Sequence, residues 1–541
     1  MRRLMRDTGG AVSIIGAFSL VALIGMMGFV VDASNAYSAQ IRNQRVSDMA
    51  ALSAAQVLND TGSSSAMQAA AEGVTAAAGL AQADVATRRV GTDEVEVTVT
   101  TDEGTYFARI FGATTLGVSA QSVARFGRIV PPCMVALAEN APDGILGEGG
   151  VQMTASGCAV ASNSQIRATG GARLQAMSFT TPNGTVVVCD PVRGQQACGA
   201  RIETVPAANQ FSSGTVSDPL ANNASLQSAL NALASGSGPT FPAASGGSGF
   251  EPPWWPNAYS HSGYQATWNG STSTFTFPPG DYQISNLNVP GGMKVVFSGP
   301  NTRVRVSGSV NVGGGSSLTV GDGDVVFNGT IAVGGGSGVY LGNGSHAIGS
   351  VNLGGSGILT MGTGPLHVNG NVTTAGGSTF NVGAAGAGKS HHINGNVALS
   401  GNSNLGQGRY TVNGDFSNNT GGSITGTNVN ILARGRLTLG GGTNINMSAP
   451  TSDSNDLFGD LLFASLTNGQ TWIGAGAQNQ YKGAIYVPRS PINLEGGSSV
   501  LASNGCFMMI GATIRMTGGA TAATSCPNLS GGGGVLVALV R

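Results

Sequence analysis

A chain of 541 residues with 9% charged residues, a net charge of −1 and no basic block lacks the electrostatic footprint that nucleic-acid binding requires. Its 87 glycines would suit a disordered chain, but Val, Ile and Leu recur with a fixed period, which excludes that class. The length exceeds one ordinary domain, although a solenoid can grow indefinitely in one direction.

Arg2, Arg3 and Arg6 open the chain, and residues 11–31 follow without a charge, from Ala11 to Val31, closed by Asp32. At ~1.5 Å per helical residue this run spans a ~30 Å hydrocarbon core. The basic start places residues 1–10 in the cytoplasm and the bulk of the chain across the membrane. The run is too long for the apolar core of a usual cleaved signal, and no A-x-A site follows it. An intact single-pass anchor is therefore expected. Gly16, Gly25 and Gly28 would let a partner helix come close, although glycine is common in membrane helices anyway. Residues 35–58 read as a continuing helix, rich in Ala, with Arg42, Arg45 and Asp48 exposed. Residues 63–81 read as a second helix, and 95–101 and 117–126 as strands. Residues 32–129 thus form a membrane-proximal α/β stalk.

Several motifs here occur as an ordered set. They are Gly9-Gly-Ala-Val-Ser-Ile-Ile-Gly-Ala-Phe18, Gly28-Phe-Val-Val-Asp32, Tyr37, and Ser47-Asp-Met-Ala-Ala-Leu-Ser-Ala-Ala55. Val95-Glu-Val-Thr-Val99, Phe107-Ala-Arg-Ile-Phe-Gly112 and Val118-Ser-Ala-Gln-Ser-Val-Ala124 complete the set. The ensemble resembles the N-terminal region of the TadE/TadG-like Flp pilus-assembly proteins, over residues 7–129. The segments around Cys133, Gly157-Cys158, Ser162-Asn-Ser164, 439–450, 483–488 and 504–526 also look TadG-like. The resemblance implies a membrane protein of the Flp/Tad pilus system, with pilins or other assembly proteins as partners. Related pilins are cut after a Gly that has Glu five residues on. Gly10 has Ile15 there, so the resemblance does not carry cleavage over.

Beyond Pro131-Pro132, residues 145–153 realign with 166–174 at a spacing of 21, so 130–180 read as the first coils of a β-helix. Residues 181–280 break the period with a short helix near 226–233, a Gly/Ser/Pro linker at 235–249 and an aromatic concentration. Trp254, Trp255, Tyr259, Tyr264 and Trp268 are candidate binding aromatics that would stack on sugar or grip a partner. Their bland reading is a lid packed over the solenoid.

Residues 281–530 carry the main β-helix. One phrase returns around Gly308, Gly329, Gly349, Gly370, Gly395, Gly414 and Gly435, at spacings of 21, 20, 21, 25, 19 and 21. Residues two before each anchor (Val306, Phe327, Ala347, Val368, Ile393, Val412, Ala433) and two after it are mostly apolar. Those between are mostly polar, so alternate side chains face inward. Asn-Gly at 328, 369, 394 and 413 is expected to supply the corner by tolerating positive φ. The fold class is therefore mainly β: a transmembrane helix and small α/β stalk, then a single-stranded parallel β-helix of about 21 residues per coil. Residues 531–541 are too short to span a membrane and are expected to pair onto the last coil or cap it.

Chemistry is sparse. Between 306 and 442 the acids are Asp322, Asp324 and Asp415, and Asp415 lies about four coils, or ~20 Å, from the others. No carboxylate pair for glycoside chemistry follows, and neither an enzyme nor a cofactor is expected. His346, His367 and His392 each lie three residues before an anchor glycine and would stack on consecutive coils, weak candidates for a shared metal against the bland reading of a polar ladder. Cys506 with Cys526, Cys189 with Cys198, and Cys133 with Cys158 are the preferred disulfides among fifteen formal pairings. They suit a periplasmic location.

The function expected is a membrane-anchored periplasmic structural or assembly component of the Flp/Tad pilus, at the inner membrane, binding through its β-helix surface. The alternatives are a secreted or surface β-helix that binds, or less readily cleaves, envelope polysaccharide, and an adhesin.

Overall fold

In a computed structural model the chain forms two compact units, residues 1–129 with 533–541, and residues 130–532. The structure describes residues 8–90, 94–128, 131–189, 198–205, 211–236, 238–253, 259–418, 421–440, 442, 444–454, 457–474, 478–496, 499–501, 505–524, 526, 529 and 535–540.

The first unit is built on one helix, α1 (Thr8–Thr61), unbroken because no proline interrupts it. Gly62, at φ 68°, ends it. α2 (Ser64–Ala77) starts where the Ser63 hydroxyl accepts from the Ala66 N–H. Strands β1 (Asp84–Val90), β2 (Glu94–Gly104) and β3 (Thr115–Arg128) form an antiparallel meander. Val95, Val97 and Val99 alternate inward on β2 and meet Ala50, Ala51, Ala54 and Ala55 of α1. Alanine at those positions lets the helix backbone lie close to the sheet. Each buried valine contributes on the order of 1.5–3 kcal/mol.

The fourth strand of that sheet is the C-terminal segment Val535–Val540, antiparallel to β3 from Val123–Val540 to Arg128–Val535. This corrects the expectation that the tail joins or caps the last coil. A six-residue apolar run satisfies its backbone on any open edge, and the edge it takes is that of β3.

The second unit is a parallel β-solenoid of about 16 turns with ~21-residue spacing. Each coil contributes three strands, so three parallel ladders run its length. One passes through 303–306, 325–327 and 346–348, the second through 310–312, 331–333 and 351–353, and the third through 317–320, 338–341 and 358–361. Val306, Phe327, Ile348, Val368, Ile393, Val412 and Ala433 form one continuous inward column. Ile348 takes the place expected of Ala347, because the register shifts between Phe327 and Thr330 at the short repeat.

The anchor glycines have a different cause from the one expected. None of them, and none of the four corner asparagines, has positive φ. Gly329, Gly370, Gly395 and Gly435 each donate to the carbonyl of the anchor glycine one coil before, Gly329 to Gly308 at 2.9 Å and Gly395 to Gly370 at 3.1 Å. A Cβ at Gly395 would meet the Gly370 carbonyl carbon at 2.5 Å. Close stacking of coils, not backbone conformation, demands glycine there. The left-handed positions fall at the next corner, on Gly315 and Gly336, both at φ 69°.

Chain order and stacking order differ. Residues 132–155 come first in sequence but stack beneath the last coil: Met134 pairs with Met509, Ile145 with Ile514 and Gln152 with Ala520. The chain then winds to Phe211–Ser213, on the coil of Arg173–Thr181. It returns along the outside to Ser248–Phe250, which pairs with the strand Asp281–Val289 at the opposite end. From there it winds back to meet its own start.

Candidate functional site

α1 contains one stretch long and apolar enough to cross a membrane, and the most apolar window has a mean hydropathy of 2.5 and is 6% buried. That fits a single-pass anchor. Directly beyond it, the Asp32 carboxylate accepts from the backbone N–H groups of Tyr106 (2.7 Å), Phe107 (3.1 Å) and Ala108 (2.8 Å). These are the free donors at the start of the 3₁₀ turn Ala108–Phe111, in the loop between β2 and β3. An acid is needed at position 32 because three donors converge on it.

The next turns of α1 are tied to the sheet by polar groups. Asn43 Nδ2 donates to Thr101 Oγ1 (2.8 Å) and to the Val118 carbonyl (2.9 Å), and Ser47 Oγ donates to the Val97 carbonyl (2.8 Å). Asp48, expected to be exposed, is half-buried and accepts from Ser122 Oγ at 2.6 Å. Arg42 pairs with Glu103. These bonds fix helix rotation, while the alanines between them set the distance.

The outside of the solenoid carries a strap, residues 214–236 and 238–250. Val216 exchanges hydrogen bonds with Asn163 near one end (2.7 and 2.9 Å). Helix α3 (Ala224–Ala234), capped by Asn223, buries Leu226, Leu230 and Leu233 on Leu432, Tyr486 and Ile510. The Tyr486 hydroxyl donates to Asp218 and accepts from Gln227. Further along, Phe241 meets the His367 ring edge-on at 5.3 Å. Asn328 both donates to and accepts from Ala244, and Ser307 donates to the Gly246 carbonyl. The signal was present in sequence: strands Val429–Ala433 and Leu461–Ser465 carry consecutive apolar residues at 431–433 and 461–464, as strands covered on both faces do.

The candidate aromatics divide. Trp254 and Trp255 lie outside the described residues. Tyr259, Tyr264 and Trp268 are half-buried and turned into an end cap: Tyr264 packs on Tyr282 at 4.7 Å, Trp268 on Phe275 at 4.5 Å, and Tyr259 against Phe250 at 5.4 Å. They cover the apolar end of the stack.

The histidine column is split. His367 aligns with His392, and their rings lie 6.2 Å apart. His346 aligns with Leu366, one position off, and is buried with its Nε2 2.8 Å from the Gly342 carbonyl. The same register shift that places Ile348 in the core turns His346 inward, so the three do not come together. His391 is buried and stacked on Tyr410 at 4.3 Å. Burial, reinforced by the neighbouring imidazole of His392, pushes His391 down to about 3, and burial followed by nearby His367 and Arg409 takes His392 down to about 4. Among the described residues no group of three His, Cys, Asp or Glu is placed to hold a metal. The three acids of the central coils cap turns instead: Asp322, Asp324 and Asp415 accept from the backbone N–H groups of Asn343, Ser345 and Arg436 on the next coil.

The cysteines form three bridges, Cys133–Cys158, Cys189–Cys198 and Cys506–Cys526, with Cα separations of 5.7, 5.6 and 4.8 Å. The first ties two adjacent coils, and the last closes one turn of chain on itself.

Residues 9–57 match the family model Tad, Flp pilus-assembly TadE/G-like. The match covers the apolar span, Asp32 and the alanine face that packs on the sheet. Comparison with curated proteins and with solved structures returned no match to this chain. The matched segment supports a role in pilus assembly, with membrane association and pilus-system partners.

Proposed function

We propose that this protein is a structural or assembly component of the Flp/Tad pilus machinery, held by one helix in the inner membrane with its solenoid in the periplasm. It acts by binding through the solenoid surface and catalyses no reaction. The observation that carries this reading is the TadE/G-like match at residues 9–57, which falls on the one helix among the described residues suited to span a membrane. The disulfides suit an oxidising compartment. The acids of the central coils are engaged in turn capping, which fits a scaffold better than an enzyme.

In-cell crosslinking of the full-length protein in native membranes tests it. Recovery of pilins or secretion-platform proteins is expected, with the crosslinked positions on the solenoid. Recovery of envelope glycan alone would overturn it.

A further inference from the structure

The turn between β2 and β3 carries large apolar side chains that nothing in its unit covers. Ile110 is 74% exposed, Phe111 88% and Tyr106 64%. A soluble loop of this size does not usually gather such residues at its tip. Their position along α1 gives the reason. Asp32, the first residue past the apolar run, grips the backbone of Tyr106, Phe107 and Ala108. The Phe107 ring reaches further in and lies on Gly28, where an added Cβ would meet it at 2.6 Å. Gly28 lies four residues, or roughly 6 Å along the helix, before Asp32. The turn is therefore held at the depth of the last helical turn in the hydrocarbon.

We propose that residues 106–111 are a second membrane contact, seated in the interfacial layer of the leaflet from which α1 emerges at Asp32, with Phe111 and Ile110 among the acyl chains and Arg109 at the phosphates. The inference rests on the reading of α1 as a membrane anchor. A cleft of about 760 Å³ lies between Gly25, Phe29 and Tyr37 of α1 and Phe111 and Leu116 of the turn and β3. Its walls are mostly apolar, and along α1 they run from Gly25 past Asp32 to Gln40. At this depth a lipid acyl chain is the available occupant, and Arg109, exposed in the same turn, complements an anionic headgroup. Aromatic residues at the headgroup level suit Tyr106 and Tyr37. The turn then fixes tilt and rotation of the module on the membrane, because a single helix alone leaves it free to swivel.

All six cysteines are in disulfides, so an introduced thiol is the one site for a nitroxide label. The full chain is reconstituted in phosphatidylethanolamine–phosphatidylglycerol vesicles as Leu20→Cys, Ser65→Cys, Ile110→Cys and Phe111→Cys. Accessibility to oxygen and to a water-soluble nickel complex gives the depth of each label. Labels at 110 and 111 are expected to favour oxygen and to lie within several ångströms of the phosphate level. Labels at 110 and 111 as nickel-accessible as the one at 65, with the label at 20 in lipid, would overturn the inference and leave the anchor standing. A label at 20 that is itself in water would overturn both. Low accessibility to both reagents, with spin–spin broadening, would assign the cleft to a second copy's helix and overturn the lipid assignment.

Discussion

The helix–sheet interface of the first unit and the interior of the solenoid bury similar apolar surfaces by opposite means. In the first, small residues are placed once: Ala50, Ala51, Ala54 and Ala55 admit the sheet, and Asn43 and Ser47 lock the rotation. In the second, large residues are placed repeatedly, and the small ones, the anchor glycines, sit at the corner where coil meets coil. The lesson is that a small residue marks close approach in both, but the neighbour is a sheet in one and the chain's own previous turn in the other.

That contrast can be broken by substitution. The largest effect is expected from Phe416→Ala, which empties a 2% exposed position on the second ladder, where the ring meets Phe463 across the interior at 6.1 Å. A loss of about 3–5 kcal/mol is expected in denaturant unfolding of the full chain in detergent. Next come two additions of bulk. Gly395→Ala forces a Cβ into the Gly370 backbone, and Ala54→Leu overfills a wholly buried position against β2. Each is expected to cost about 1–3 kcal/mol. Hydrogen exchange would localise the first to the solenoid and the second to the sheet of the first unit. Equal spread of both effects over the two units would refute the separation.

A smaller effect is expected from acid. His391 and His392 have an ordinary value of 6.5 and are held near 3 and near 4 in the fold. Below about pH 6.5 the unfolded chain takes up protons that the folded chain refuses. The solenoid is therefore fully stable above that pH, and stability falls as pH drops toward 4. His392→Gln is expected to flatten the dependence of the unfolding midpoint between pH 7 and 5, and an unchanged slope would rule out this histidine as a source. The smallest effect is local. Asp32→Ala leaves the N–H groups of Tyr106, Phe107 and Ala108 without their acceptor, and those amides are expected to exchange several-fold faster with the solenoid unaffected.

The histidines and glycines show where reading the chain succeeded and where it could not. The period of about 21 was legible because every coil has the same inside, and the apolar positions repeat with it. One short repeat was enough to misplace Ala347 and His346, because a one-residue slip exchanges the faces of a strand. The aromatics at 259, 264 and 268 were legible as a cluster with two readings, a lid or a ligand face, and only their packing decided for the lid, since an aromatic over an apolar end and one facing a ligand have the same composition. The use of Asp32 was not legible at all, because its partners lie 74 to 76 positions away.

Sequence by itself determined what is local or repeated: the apolar span, the alanine-rich helix, the coil period and the inward columns. Each follows from spacing along the chain, which fixes which side chains share a face. Tertiary structure alone decided the stacking order, in which residues 132–155 sit beneath 507–523, the path of the strap, and the pairing of Val535–Val540 with β3. Any coil end offers the same unpaired N–H and C=O groups to any strand of suitable length, so a repeat pattern cannot say which end a coil joins. That choice is made by long-range pairs such as Arg515 with Glu148, at 2.7 Å across the join, and by where the strap's leucines find an apolar outer face.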